Sequence, residues 1–129
     1  MARVCLDYGH GGEDSGAVYK GRFEKDDNLE LSLKVAEELR RHGVIVGETR
    51  TADTTLSLKD RTLFANKGNF NYFISFHRNA YMPEKTNGAE TYVYIIGREK
   101  SKELAKKIQT SLVGLGFADR RNTSSNNRF

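Results

Sequence analysis

The sequence predicts an α/β fold, a single domain built on a mostly parallel, twisted sheet with helices on both faces. Three observations point there. Short β-branched or aromatic runs, Val4-Cys5-Leu6, Val44-Ile45-Val46 and Tyr72-Phe73-Ile74-Ser75-Phe76, alternate with longer stretches of helical period. The helical stretches end at Gly43, Gly68 and Gly116, the residue type that stops helices. A length of 129 residues suits one domain, which can bury roughly two-thirds of the surface of its unfolded chain.

Taken in order, Val4-Cys5-Leu6 between Arg3 and Asp7 reads as a short buried strand. Glycines at positions 9, 11, 12 and 16 then exclude any regular element and mark a loop. From about Asp27 to His42, an apolar stripe of Leu29, Leu33 and Ala36, widened by Leu31, Val35 and Leu39, predicts the first helix. Val44-Ile45-Val46 is the second strand, followed by a polar connection through Asp53. Ser57 offers an N-cap and Asp60 completes a capping box for a helix from Leu58 to about Lys67. Tyr72 to His77 is a third strand whose near-continuous apolarity suits a central position covered on both faces. A loop from Arg78 to Asn87 holds the only proline, Pro83, and Gly88 to Ile96 reads as a fourth strand. Leu104, Ile108, Leu112 and Leu115 predict a helix from Ser101 to Leu115. No apolar period remains from Ala118 onward, so residues 1–117 form the expected domain and 118–129 a polar tail.

The formal charge of +4 favours an anionic partner: nucleic acid, an anionic cell-wall polymer or a membrane surface. Arg120, Arg121 and Arg128 in the tail lack accompanying recognition-motif aromatics, and the expectation is no nucleic-acid partner. No apolar run is long enough to cross a bilayer. Met1-Ala2-Arg3 leads directly into a strand without a signal peptide, so the expectation is synthesis in the cytoplasm and release by other means. A single cysteine, Cys5, excludes an internal disulfide framework and reads as a small buried hydrophobe.

In open parallel sheets, ligands bind beyond the carboxyl ends of the strands. His10 and His77 both sit there, whereas His42 precedes Gly43 at a helix end and reads as a cap or surface group. Glu24 stands at the mouth of the first helix. Two imidazoles and one carboxylate leave a fourth tetrahedral position for water, the ligand count of a catalytic zinc site. A surface carboxylate favoured by the helix dipole is the competing reading of Glu24, and spacing alone leaves both open. Gly9-His10-Gly11-Gly12-Glu13-Asp14 sets a histidine and two acids where a phosphate cradle needs backbone amides facing an anion. No Gly-x-Ser-x-Gly elbow for a serine hydrolase occurs.

These residues resemble the zinc-dependent N-acetylmuramoyl-L-alanine amidases of bacterial autolysins and phage endolysins, in order over roughly Arg3 to Phe117. Asp7-Tyr8-Gly9-His10-Gly11-Gly12 with Asp14-Ser15-Gly16-Ala17 is similar to that family's Asp-Pro-Gly-His-Gly-Gly and Asp-x-Gly-Ala signature. Glu24-Lys25-Asp26-Asp27-Asn28-Leu29 resembles its Glu-Lys-x-x-Asn-Leu helix start. Thr49-Arg50, Asp53, Ser57-Leu58, Arg61 and Ala65-Asn66 are similar to the middle of the pattern. Ser75-Phe76-His77-Arg78-Asn79-Ala80 and Gly88-Ala89-Glu90-Thr91-Tyr92 resemble its later segments.

The resemblance implies a zinc ion on His10, Glu24 and His77, and a water that attacks the amide between N-acetylmuramic acid and L-alanine in bacterial peptidoglycan. It implies Arg78 and Asn79 along the substrate groove, and Glu90 either orienting a ligand or serving as an ordinary strand carboxylate. Tyr8 replaces the family's proline, which is expected to alter loop rigidity more than ligation. The family's general-base glutamate lies on a later strand, which by this alignment falls past Phe129. The expectation is thus an amidase-like domain lacking the last strand and helix region, with weak or no activity and an uncovered sheet edge that permits self-association. The alternative is a non-catalytic cell-wall-binding or interaction module that keeps the zinc pocket.

Overall fold

The computed structural model describes residues 1–78, 88–94 and 96–120. The chain forms two compact units, Met1–Ala80 and Tyr81–Phe129. The first contains β1 (Arg3–Tyr8), β2 (Val18–Tyr19), β3 (Arg22–Phe23), α1 (Glu24–Arg41), β4 (Ile45–Glu48), α2 (Leu58–Lys67) and β5 (Tyr72–Phe76). Its main sheet is parallel throughout, in the order β4-β1-β5, with Arg3 opposite Ile45 and Val4 opposite Tyr72.

Side chains of a strand alternate between the faces of its sheet. On one face Val4, Leu6 and Tyr8 pack against Ala36 of α1, with Leu29, Leu39, Val46 and Ile74 around them. On the other, Asp7 meets Arg61 of α2, and Gly47 lies against the ring of Phe70, which stacks on Phe64 of α2 at 6.0 Å. Helices therefore cover both faces of a parallel sheet, and the α/β class expected from the alternation of elements is the fold observed.

The strand order corrects one expectation. Among the described residues β1 is central and β5 lies at an edge, although β5 is the more continuously apolar of the two. Burial in β1 is nearly unbroken, whereas β5 alternates and leaves Phe73 48% exposed. An aromatic run reports β propensity as well as burial, and the two diverge here.

A hairpin absent from the sequence reading, β2 paired antiparallel with β3, brings the chain into α1. Its two central residues, Lys20 (φ 46°) and Gly21 (φ 78°), both take left-handed conformations, as a tight hairpin turn of the primed type requires. The hairpin starts α1 at Glu24, three residues before the expected Asp27. Orphan N–H groups of the first turn are met by backbone, Glu24 donating to the Ala17 carbonyl at 2.8 Å and Lys25 to that of Ser15 at 3.1 Å. Helix α2 has the expected bounds, and its capping box is present: Asp60 N–H donates to Ser57 Oγ at 3.0 Å and Ser57 N–H to Asp60 Oδ2 at 3.2 Å.

Tyr8, expected to act on loop rigidity, is a core residue at the end of β1. It is fully buried, its hydroxyl donating to Glu48 and lying 3.1 Å from the Ser32 carbonyl. Burial first, and then the bond to Glu48, push that phenol well above its ordinary range. Cys5 is the buried hydrophobe expected, its thiol pushed up to about 11 by burial and then by Asp7. His42 caps α1, its N–H on the Leu39 carbonyl at 3.0 Å.

The second unit contains α3 (Glu99–Gly114), two residues ahead of the expected start. Gln109 is fully buried and organises the unit: Nε2 donates to the Ala89 carbonyl at 2.7 Å and to Asp119 Oδ1 at 3.1 Å, and Oε1 accepts from Thr91 Oγ1 at 2.8 Å. The strand expected over 88–96 is reduced, among the described residues, to isolated bridges, Ala89 pairing in parallel with Asp119. Ala118 and Arg120, assigned by sequence to the polar tail, bond the Ala89 backbone at 2.9 and 3.2 Å. Arg121 and the rest of the tail lie outside the described residues. No helix among the described residues is long and apolar enough to cross a membrane.

Candidate metal centre

Register creates the site. Tyr8 pairs with Phe76, so the parallel strands β1 and β5 end side by side, and His77 and His10 emerge together. Gly9 N–H donates to the Phe76 carbonyl at 3.1 Å and holds the loop to the neighbouring strand. A Cβ at Gly9 would lie 2.7 Å from His77 Nδ1, and one at Gly16 would lie 2.6 Å from His10 Cδ2 and 2.7 Å from Glu24 Oε2. Both positions need glycine because the imidazoles and the carboxylate fill the space of a side chain. His10 itself takes a left-handed φ of 63° to face inward.

Glu24, the first residue of α1, has a side chain only 3% exposed. His10 Nε2 lies 3.3 Å from its Oε2, and His77 Nδ1 lies 3.2 Å from its Oε1. The imidazole rings stand perpendicular with centroids 4.9 Å apart. Backbone N–H groups complete the setting: Ala17 donates to Oε2 at 2.9 Å and Arg78 to Oε1 at 2.8 Å. Burial pushes this carboxyl up, but the Ala17 and Arg78 amides together with His10 and His77 outweigh it and hold Glu24 below its ordinary range.

One donor atom from each of His10, Glu24 and His77 falls within 4.8 Å of the others. Bonds of about 2.0–2.1 Å in a tetrahedron separate neighbouring donors by roughly 3.3 Å. Each histidine meets one oxygen of Glu24 near that spacing, at 3.3 and 3.2 Å, and two imidazoles with a carboxylate are a donor set of the right chemistry for zinc. This removes the ambiguity over Glu24: it is buried between both histidines and is no surface carboxylate.

Three further residues shape the site that sequence reasoning quoted only within a motif. Asp14 Oδ2 accepts from His10 Nδ1 at 2.8 Å, which turns Nε2 toward Glu24. The bond to His10, then that from the Gly16 amide, hold the Asp14 carboxyl below its ordinary range. Arg50 and Arg61, both buried, clamp the loop through its carbonyls. Arg50 donates to Tyr8 at 2.8 Å, to Gly9 at 3.1 Å and to Lys25 at 2.8 Å. Arg61 donates to Tyr8 at 2.7 Å, to His10 at 2.8 Å and to the Asp7 carboxylate at 2.9 Å. Arg50 lies in the polar connection after β4 and Arg61 in α2, where polarity alone names no partner.

Arg78 reaches the site twice, its amide on Glu24 and its guanidinium against Asp27. Beside His77 opens a groove of about 410 Å³, lined in part by Arg22, Asp27, Phe76 and Arg78. Asn79 lies outside the described residues. Glu90 belongs to the second unit, where Arg120 Nη1 stands 3.6 Å from its Oε1.

A family model described as N-acetylmuramoyl-L-alanine amidase matches residues 4–129. The chain is 37% identical over 119 residues to N-acetylmuramoyl-L-alanine amidase LytC of Bacillus subtilis (strain 168), covering 91% of this chain and 24% of that protein. It is 44% identical over 93 residues to an endolysin of Bacillus phage SPP1, covering 71% of this chain and 34% of that one. The crystal structure of an N-acetylmuramoyl-L-alanine amidase from Clostridium difficile 630 is similar at a TM-score of 0.85 and 36% identity, over 92% of this chain and 67% of that chain. The chain thus spans about a quarter and about a third of these two curated relatives and about two-thirds of the solved structure.

Proposed function

Because the chain belongs to the N-acetylmuramoyl-L-alanine amidase family, we propose that it carries the metal centre of a zinc-dependent peptidoglycan hydrolase acting on the amide between N-acetylmuramic acid and L-alanine. The convergence of His10 and His77 on the buried carboxylate of Glu24 carries this reading. Zinc on these three residues would supply a water of lowered pKa and polarise the scissile carbonyl.

The chain's own residues do the positioning. Asp14 holds His10 with Nδ1 occupied and Nε2 free to ligate. The amides of Ala17 and Arg78 take one hydrogen bond on each Glu24 oxygen, which keeps the carboxylate ionised and fixed in rotation. Arg50 and Arg61 hold the backbone that carries His10. Asn79 enters this proposal through the family resemblance alone, and the resemblance leaves Glu90 open between orienting a ligand and serving as an ordinary strand carboxylate. The protein would meet its substrate at the cell wall, after release from the cytoplasm.

Metal analysis of the purified protein tests the centre. About one zinc per chain is expected, lost in both His10→Ala and His77→Ala. Zinc content unchanged by either substitution would remove the assignment.

A further inference from the structure

We propose that the groove beside His77 recognises a free carboxylate on the peptide side of the substrate, within the first residues after the scissile amide, through the guanidiniums of Arg78 and Arg22. The inference rests on the amidase reading and goes beyond it by naming the charged group that the site selects.

The groove is walled by Phe76, His77 and Arg78 at the end of β5, by Arg22 of β3 and by Asp27, Glu30 and Lys34 of α1. Two guanidiniums share one carboxylate there: Arg22 Nη2 lies 3.1 Å from Asp27 Oδ2, and Arg78 Nε approaches the same oxygen. One positive charge is left over. Glu30 does not remove it, being paired with Lys34 at 3.4 Å.

Arg78 supplies the second observation. Its Nη2 is buried and has no hydrogen-bond partner among the described residues. A charged donor shut away from water without an acceptor is unfavourable, and an incoming carboxylate provides the acceptor. The planar guanidinium fork matches a carboxylate in two parallel hydrogen bonds.

Substrate chemistry selects the side. The lactyl carboxyl of N-acetylmuramic acid is consumed in the scissile amide, so free carboxylates lie on the peptide. Along α1 the distance from Asp27 to Lys34 is roughly 10 Å at 1.5 Å per residue. An extended peptide advances about 3.3–3.6 Å per residue. Two or three residues of the stem therefore fit, and Arg78, next in sequence to His77, stands at the end nearest the metal centre.

The test compares two ligands by calorimetric titration of the zinc-loaded chain: N-acetylmuramoyl-L-alanyl-D-glutamic acid, and the same molecule with both glutamyl carboxyls converted to carboxamides. The carboxylate form is expected to bind about 10-fold tighter or more, as charge-assisted hydrogen bonds allow, with the margin shrinking as salt rises. Arg78→Gln and Arg22→Gln are each expected to cut the ratio of the two affinities several-fold or more, the carboxylate form losing more than the amide form. Arg78→Lys keeps the charge without the fork, is expected to retain part of the preference, and serves if Arg78→Gln fails to fold. Equal affinity for the two ligands, or a preference that survives in both Gln variants, overturns the carboxylate proposal and leaves the amidase reading standing. Failure of both ligands to bind a chain that holds zinc overturns both.

Discussion

Arg61 shows how much a single buried side chain carries. Its guanidinium neutralises Asp7, which is buried on the α2 face and is otherwise held by Thr49 at 2.9 Å and Ser75 at 2.7 Å. Removing the arginine leaves a buried carboxylate with hydroxyl donors but no counter-charge. Arg61→Ala is expected to cost about 3–5 kcal/mol in urea unfolding, and a loss below about 1 kcal/mol would contradict that account. Asp14 acts on ligation and little on the fold, because its side chain is 61% exposed while its bond to His10 sets the direction of Nε2. Asp14→Ala is expected to weaken zinc binding by about 10- to 100-fold, read by competition with a chromogenic chelator, at nearly unchanged unfolding midpoint. An unchanged zinc affinity would show that the imidazole is oriented by other means.

Between elements, the connection after β4 ties the His10 loop to α1 through Asp53. One carboxylate oxygen accepts from the Gly12 amide at 2.7 Å and the other from Lys25 Nζ at 2.8 Å. The bond from Lys25, then that from Gly12, place the Asp53 carboxyl below its ordinary value of 3.8. The unfolded chain therefore takes up this proton at higher pH than the folded one does. Stability from the tether is complete above the unfolded value and is lost as pH falls through the lower folded value. The difference in unfolding free energy between the native chain and Asp53→Asn is expected at neutral pH and should close as pH falls below 3.8. A difference that stays constant on acidification would mean that the charge of Asp53 contributes nothing.

At the scale of the molecule, one centre draws on three parts of the first unit: the loop after β1, the start of α1 and the end of β5 supply His10, Glu24 and His77. An ion that binds only when these are brought together stabilises the folded chain by mass action, by about 2.7 kcal/mol at a free concentration 100 times its dissociation constant. Zinc is expected to raise the unfolding midpoint of the native chain in urea and to leave that of His77→Ala where it is. Equal midpoints for the native chain with and without zinc would contradict a centre assembled by the fold.

The sequence by itself determined what local rules encode: alternation of strand and helix, the capping box on α2 and the glycine-rich loop after β1. Each follows from residue type at short spacing; the set of His10, Glu24 and His77 came from strand ends and the family resemblance, and the rest depended on partners distant in the chain. That, among the described residues, β1 is central and β5 an edge was settled by which strands pair, because burial depends on neighbours that an apolar run does not name. Lys20 at a left-handed φ is not the residue that announces a tight turn, so the hairpin and the early start of α1 stayed hidden. The roles of Arg50 and Arg61 stayed hidden because, Asp7 apart, their acceptors are backbone carbonyls, which every residue has and no sequence distinguishes. The imidazoles and the carboxylate were legible as chemistry. Only the tertiary structure, by ending β1 and β5 side by side and burying Glu24 between them, made them one site.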